Sequence, residues 1–306
     1  MKELLSKKWI AMGLAFLCTV LWGSAYPMIK LAYARLAIDA VGDKLMFAGV
    51  RFLLAGLMVF AVAFALTRRF PVVEPKRWGW VLLYGAVQTG LMYLFNYIGV
   101  ANTSATKTSI LTALSAFLSV LFAPLFFRDE KLSVWKIIGI LFGIAGIAVV
   151  NFSSLDASFL FVGEGFVMIA TVLNTAGGFI GKKISKGKIF ETTAYQLMFG
   201  GALLVVFALI MGGRLTLSLM SLLFVLYLAF VSAAAFSIWT ALLVYNEAGK
   251  ILIFNLMIPV TGAFWSFLIL GERQIFDPMY LLSVILIAAG IILVNSHRKP
   301  AENSTK

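Results

Sequence analysis

Long apolar runs alternate with short polar connectors along the whole chain, near residues 9–29, 45–66, 78–101, 108–127, 134–151, 160–181, 193–211, 218–245, 250–270 and 278–296. A helix crossing the hydrocarbon of a bilayer needs roughly 20 apolar residues. Helices suit such runs because every backbone polar group must be satisfied inside the membrane. All the runs reach that length except the fifth, which is borderline. The pattern therefore predicts an all-α polytopic membrane protein with ten transmembrane helices.

Composition removes the soluble alternative. Of 306 residues, 62% are hydrophobic and only 12% charged, with a mean hydropathy of +1.00. A soluble domain of that length would have to expose a largely apolar surface. The net charge of +12 raises a nucleic-acid partner, but the bases sit in short connectors and form no continuous face, so none is expected. Cys18 is the only cysteine, which excludes an internal disulfide, and the only histidine, His297, is in a polar tail. No metal site or cofactor is expected. The start, with Lys2, Lys7 and Lys8 before an apolar run and Gly23-Ser24-Ala25, has the outline of a secretory signal. The repeats described below favour a first span instead.

Basic residues orient the chain. With the N-terminus inside, the inner connectors and tails collect eighteen bases: Lys2, Lys7, Lys8, Arg68, Arg69, Lys76, Arg77, Arg128, Lys131, Lys136, Lys182, Lys183, Lys186, Lys188, Lys250, Arg298, Lys299 and Lys306. The outer connectors hold six, Lys30, Arg35, Lys44, Lys107, Arg214 and Arg273. This bias predicts both termini in the cytoplasm.

The two halves echo one another. TVLWGSA (19–25) answers TVLNTAG (171–177), and AGIAVVN (145–151) answers AGIILVN (289–295). The fourth and ninth runs end in FFRDE (126–130) and ILGER (269–273), and SATKTSI in the first half parallels EAGKILI (247–253) in the second. Any one match among apolar residues arises by chance; several in the same order do not. Residues 1–156 and 157–306 read as two five-helix repeats. Five is odd, so the second is inverted relative to the first, as in many secondary transporters.

At this point the residues resemble a known family. LWGSAYPMIK (21–30), AGVRFLLAGL (48–57), NYIGVANTSATKTSILTAL (96–114) and IPVTGAFWSFLILGE (258–272) are similar to the drug/metabolite transporter superfamily, in its ten-helix branch with two EamA domains. The resemblance covers nearly the whole chain and implies export of a small metabolite, such as an amino acid, across the cell membrane through a cavity between the halves. One departure concerns proline. Pro259 stands in the ninth run, whereas LSAFLSV in the fourth has none and Pro124 comes later, so a proline hinge is expected only in the second half.

Candidate substrate-binding residues are the polar and aromatic groups placed within runs. Arg51 lies about two turns into the second, where a cation is costly by roughly 2.5–3.5 kcal/mol near a helix centre. It either faces a cavity and orients an anionic substrate group or a helix end, or it snorkels to the outer interface or bonds a neighbouring carbonyl as a structural group. Its repeat partner, Gln196, is neutral. Lys107 sits at the start of the fourth run, where the helix dipole disfavours a cation. That suggests a nearby negative partner (a lipid phosphate, an acidic side chain or a substrate carboxylate), the alternative being a lysine that snorkels to the interface. Lys250 is its counterpart at the inner mouth. Trp22 and Asn174 are repeat partners; Tyr93 and Asn96 lie on the third run and Trp239 on the eighth. Glu130 and Glu272 are expected to be solvated or paired with their neighbours Arg128 and Arg273.

No acid occurs between Lys8 and Asp39, so the first run lacks a membrane carboxylate for binding lipophilic cations. The cavity is expected to be neutral to basic, which favours zwitterions or organic anions. An organic-cation efflux carrier is the alternative. An intramembrane enzyme would need a nucleophile and base, or a metal cluster, at depth, and neither H-E-x-x-H nor G-x-S-x-G occurs. A non-transporting sensor is separated from a carrier by solute flux. Partners are expected to be a small-molecule substrate and membrane lipid, with the chain a monomer or homodimer.

Overall fold

The computed structural model describes residues 2–151 and 159–296, and all regular structure among them is helical. The basic tail beyond Ser296, His297 and the division at residues 156 and 157 lie outside the described residues. After a short turn at Lys2–Leu5, helices α1 (Lys8–Leu36), α2 (Val41–Thr67) and α3 (Pro75–Ala101) follow. Next come α4 (Ala105–Phe126), α5 (Val134–Asn151), α6 (Phe161–Ile184) and α7 (Ile189–Ile210). The chain ends in α8 (Leu219–Tyr245), α9 (Ala248–Leu270) and α10 (Pro278–Ser296). Eight of these are long and apolar enough to cross a membrane. Two shorter apolar stretches, Ile110–Phe126 and Val134–Val149, fall in α4 and α5.

Helix ends depart from the hydropathy pattern where charge and conformation diverge. The first apolar run ends near residue 29, yet α1 continues past Lys30 and Arg35 and stops only where Ala37 adopts a left-handed backbone (φ 52°). Charged residues leave lipid without leaving the helix. In α3 the segment Ala86–Leu91 is a π turn, and α6 opens with another at Phe161–Gly165. In α9 the segment Ile253–Leu256 tightens to a 3₁₀ turn just before Pro259. A proline there withholds the N–H that Asn255 would otherwise receive. By contrast α4 is continuous from Ala105 to Phe126 with Pro124 inside its last turn.

Helix packing comes in pairs that exchange the halves. α2 lies along α7, and α5 along α10. α1 packs on α9 and α8, just as α6 packs on α4 and α3; α2 meets α8, as α7 meets α3. Two glycine contacts set the closest approaches. A Cβ on Gly201 would stand 2.7 Å from the Leu53 nitrogen and 2.9 Å from the Gly49 oxygen, and one on Gly139 would stand 2.6 Å from the Gly290 oxygen. Small residues let backbones close in lipid, where packing rather than water exclusion drives association.

Candidate functional site

The packing of α1, α2, α3 and α8 builds an aromatic box around a buried arginine. In α2, Gly49 faces α7, and two residues further is about 200° around the helix. Arg51 therefore points the other way. It is 4% exposed, with its guanidinium carbon 4.5 Å from the Phe52 ring centroid and 5.8 Å from that of Tyr93. Its Nε is buried without a hydrogen-bond partner. The interfacial, snorkelling alternative for Arg51 does not describe this position. Across from it Trp22 meets Trp239 at 4.9 Å and Phe236 at 5.4 Å, both edge-on. Phe52 bridges to Tyr93 at 4.7 Å and to Phe236 at 6.2 Å, and Tyr93 continues to Tyr97 at 6.1 Å. Tyr26 of α1 is within electrostatic reach of Arg51 and Tyr97, yet its side is open: the residue is 62% exposed.

A second polar group lies on α3, about one turn from Tyr93. The π turn carries Gln88 and Thr89. Gln88 Nε2 donates to Asn174 Oδ1 of α6 at 2.9 Å, and Gln196 Nε2 of α7 donates to Thr89 Oγ1. Both glutamine Oε1 atoms are buried without partners. A π turn inserts an extra residue and is frequent at functional sites; here it delivers adjacent side chains to two different helices.

The expected site residues thus separate. Trp22, Arg51, Tyr93 and Trp239 come together in the box. Asn174 and Gln196 meet the π turn, and Asn96 is half-buried on α3 next to Tyr97. Lys107 stands apart at the N-terminal end of α4, its Nζ 3.0 Å from Glu164, whose carboxylate also accepts from Thr103 Oγ1 at 2.7 Å and Leu160 N at 2.6 Å. Of the three negative partners considered for Lys107, the structure supplies the acidic side chain. Sequence reasoning missed Phe52, Phe236, Tyr26, Gln88 and Thr89. The adjacent Gln-Thr in an apolar run was the one signal available for the π turn.

Glu130 is buried and corrects the expectation made for it, whereas Glu272 stays partly solvated but pairs with Lys30 instead of Arg273. Each reaches across the halves: Glu130, at the end of α4, takes Lys182 of α6, and Glu272, at the end of α9, takes Lys30 of α1. Among the described residues neither Arg128 nor Arg273 has a carboxylate in ion-pair range. The two pairs differ in depth. The Glu130 side chain is fully buried and also accepts from the Ala248 and Gly249 backbone N–H groups at 2.7 and 3.3 Å, closing the start of α9. Beside it Glu247 accepts from Lys136 and Lys250, both at 2.8 Å. The Lys30–Glu272 pair is exposed, at 68% and 31% of the two side chains.

Known proteins resemble this chain along its whole length. The profile of the EamA-like transporter family matches residues 9–152 and again 161–296, and the chain belongs to that family. It is 27% identical to the uncharacterized transporter YvbV of Bacillus subtilis, over 98% of this chain and 95% of that protein. It is 26% identical to a probable amino-acid metabolite efflux pump of Salmonella typhimurium, over 92% of this chain and 93% of that one. A probable biotin transporter of Pseudomonas aeruginosa is 26% identical over 61% of this chain and 62% of its own length. A crystal structure aligns with a TM-score of 0.79 at 17% identity, covering 94% of this chain and 98% of that one, and shows the same fold. The chain is a multi-pass membrane transporter of the cell membrane and not an enzyme.

Proposed function

We propose that this member of the EamA-like family exports a small carboxylate-bearing metabolite, such as an amino acid, by alternating access between two inverted five-helix repeats. The observation that carries the substrate class is Arg51. Among the described residues it is the charge that lies within the helix bundle with no carboxylate in ion-pair range. A buried cation with an unsatisfied Nε costs free energy unless an anion meets it. A substrate carboxylate satisfies it, and the rings of Trp22, Phe52, Tyr93 and Trp239 receive the rest of the molecule. A simple cation would leave Arg51 unpaired and set a like charge beside it, so a zwitterion or an anion fits better. Two relatives are named for an amino-acid metabolite and for biotin, and amino acids and biotin both carry a carboxylate.

Alternating access is supported by the exchange-related packing and by ion pairs that cross between the repeats: Lys182–Glu130 and Lys136–Glu247 at one end, Lys30–Glu272 and Lys107–Glu164 at the other. Breaking a buried pair costs about 3–5 kcal/mol, whereas an exposed one contributes about 0–1 kcal/mol. Each mouth thus holds a buried pair, Lys182–Glu130 at the inner and Lys107–Glu164 at the outer, and alternating access breaks one side at a time. Inverted symmetry suggests the counterpart of the Glu130 contact: Glu272 would cap the start of α4 as Glu130 caps the start of α9. Ten spanning helices with both termini inside, over residues 1–156 and 157–306, complete this reading. Flux in proteoliposomes tests it. An amino acid should move and a quaternary ammonium should not; selective quaternary-ammonium transport would sink the zwitterion assignment.

A further inference from the structure

Away from the aromatic box, the neighbouring ends of α3 and α6 enclose an open recess of about 440 Å³ lined by Arg77, Trp80, Lys183, Ile184 and Lys186. Bases at the inner face are explained by topology alone, so their charge by itself assigns nothing. Three observations go further. The nearby acids are already engaged, Glu74 with Arg77 at 3.5 Å and Glu191 with Lys188 at 3.7 Å. Among the described residues no carboxylate lies within ion-pair range of Lys183 or Lys186. The Trp80 residue is 51% exposed, and the Lys183 Nζ stands 6.0 Å from its ring centroid. Finally, the same helix faces continue into apolar exposed surface. Leu83 lies one turn beyond Trp80, and Val172 lies three turns back from Lys183.

We propose that this recess is a binding site for an anionic phospholipid of the phosphatidylglycerol type. Its phosphodiester sits between Lys183, Lys186 and Arg77, its glycerol backbone lies against the Trp80 indole, and its acyl chains run along Leu83 and Val172. A tryptophan suits the boundary between headgroup and chain because its ring is apolar and its N–H polar. Basic pockets between helices at the cytoplasmic face suit anionic headgroups. A zwitterionic headgroup brings its own cation into the same lysines, so net negative charge is selected. A soluble phosphate gains nothing from the apolar strip. The site is separate from the box around Arg51 and does not depend on the substrate assignment.

The test uses the purified full chain in detergent. Retained lipid is read by native mass spectrometry and thermal stability by melting, with three probes: phosphatidylglycerol, phosphatidylcholine with the same acyl chains, and soluble glycerol phosphate. Phosphatidylglycerol should bind and raise the melting temperature, with phosphatidylcholine at least roughly tenfold weaker. The Lys183→Gln/Lys186→Gln variant should weaken phosphatidylglycerol binding roughly tenfold or more, and Lys183→Arg/Lys186→Arg should retain it. The Arg68→Gln/Arg69→Gln variant, at a different connector of the same face, should bind as the parent does. The proposal is overturned by equal binding of the two lipids, by an unaffected glutamine pair, or by loss in the arginine pair. Equal loss in the Arg68/Arg69 variant overturns it too, as does reproduction of the effect by glycerol phosphate.

Discussion

Arg51 shows what a single residue discloses before any fold is known. A guanidinium two turns into an apolar run is expensive wherever it lies, so its presence alone marks a position with a purpose. Its surroundings were not legible, because Phe52 and Phe236 read as ordinary apolar residues and only the packing of α2 against α8 turns them into walls. Gln88 was less legible still. Two adjacent polar residues in an apolar run carry little signal, and nothing else in the sequence marks the π turn that places them. Replacing Arg51 with Gln should raise KM for a carboxylate substrate roughly ten- to a hundredfold, the range for a hydrogen bond to a charged group. Flux in proteoliposomes against substrate concentration reads this. Arg51→Lys should recover only part, since an ammonium cannot offer two parallel donors. Unchanged KM in both variants would make Arg51 a packing residue.

Helices were the most legible level, and their ends and interruptions the least. Length and hydropathy located the runs because lipid demands apolar length, but helix α1 outlasts its run and the break in α9 falls inside one. Proline supplies the physical reason for the second, and its absence from the matching part of α4 agrees with that helix being unbroken. The α2–α7 contact makes a direct prediction. With backbone atoms of Leu53 and Gly49 so close to the Gly201 position, Gly201→Val should lower the melting temperature and the yield of folded protein, by about 1–3 kcal/mol if the helices shift to accommodate it. The same change at Gly187, where a Cβ would meet nothing but the backbone φ is +77°, would test strain instead of clash. At the α8–α9 turn, burial works to raise the Glu247 pKa, and hydrogen bonds from Lys136 and Lys250 outweigh it, leaving the group below its ordinary 4.5. A depressed carboxylate stabilises the fold at pH above 4.5 and loses that contribution as pH falls through its lowered value. Melting of the parent should therefore weaken on acidification below about pH 4.5, and less so in Glu247→Gln. An identical acid profile in the two would remove Glu247 from the inner closure.

At the scale of the whole molecule, the proposed transport path runs between two repeats joined by ion pairs that cross from one half to the other. Repeat matches in sequence pointed to this organisation and the family match covers both halves. The cross-repeat ion pairs could not be read, because sequence neighbours hide partners that only the assembled bundle brings near. Glu130→Gln should loosen the inner mouth and shift the population toward the inward-open state. In a Cys18→Ala background, Ala248→Cys should then react faster with a maleimide reaching the inner face, while Lys30→Gln leaves that rate nearly unchanged. Equal rates with and without Glu130→Gln would contradict the gating role. The central claim, a carboxylate solute held at Arg51, is tested most directly by efflux from proteoliposomes of a labelled amino acid beside its decarboxylated amine. The account predicts that the amino acid leaves at least roughly tenfold faster and that Arg51→Gln abolishes the difference. Equal efflux of the two solutes from the parent protein would contradict it.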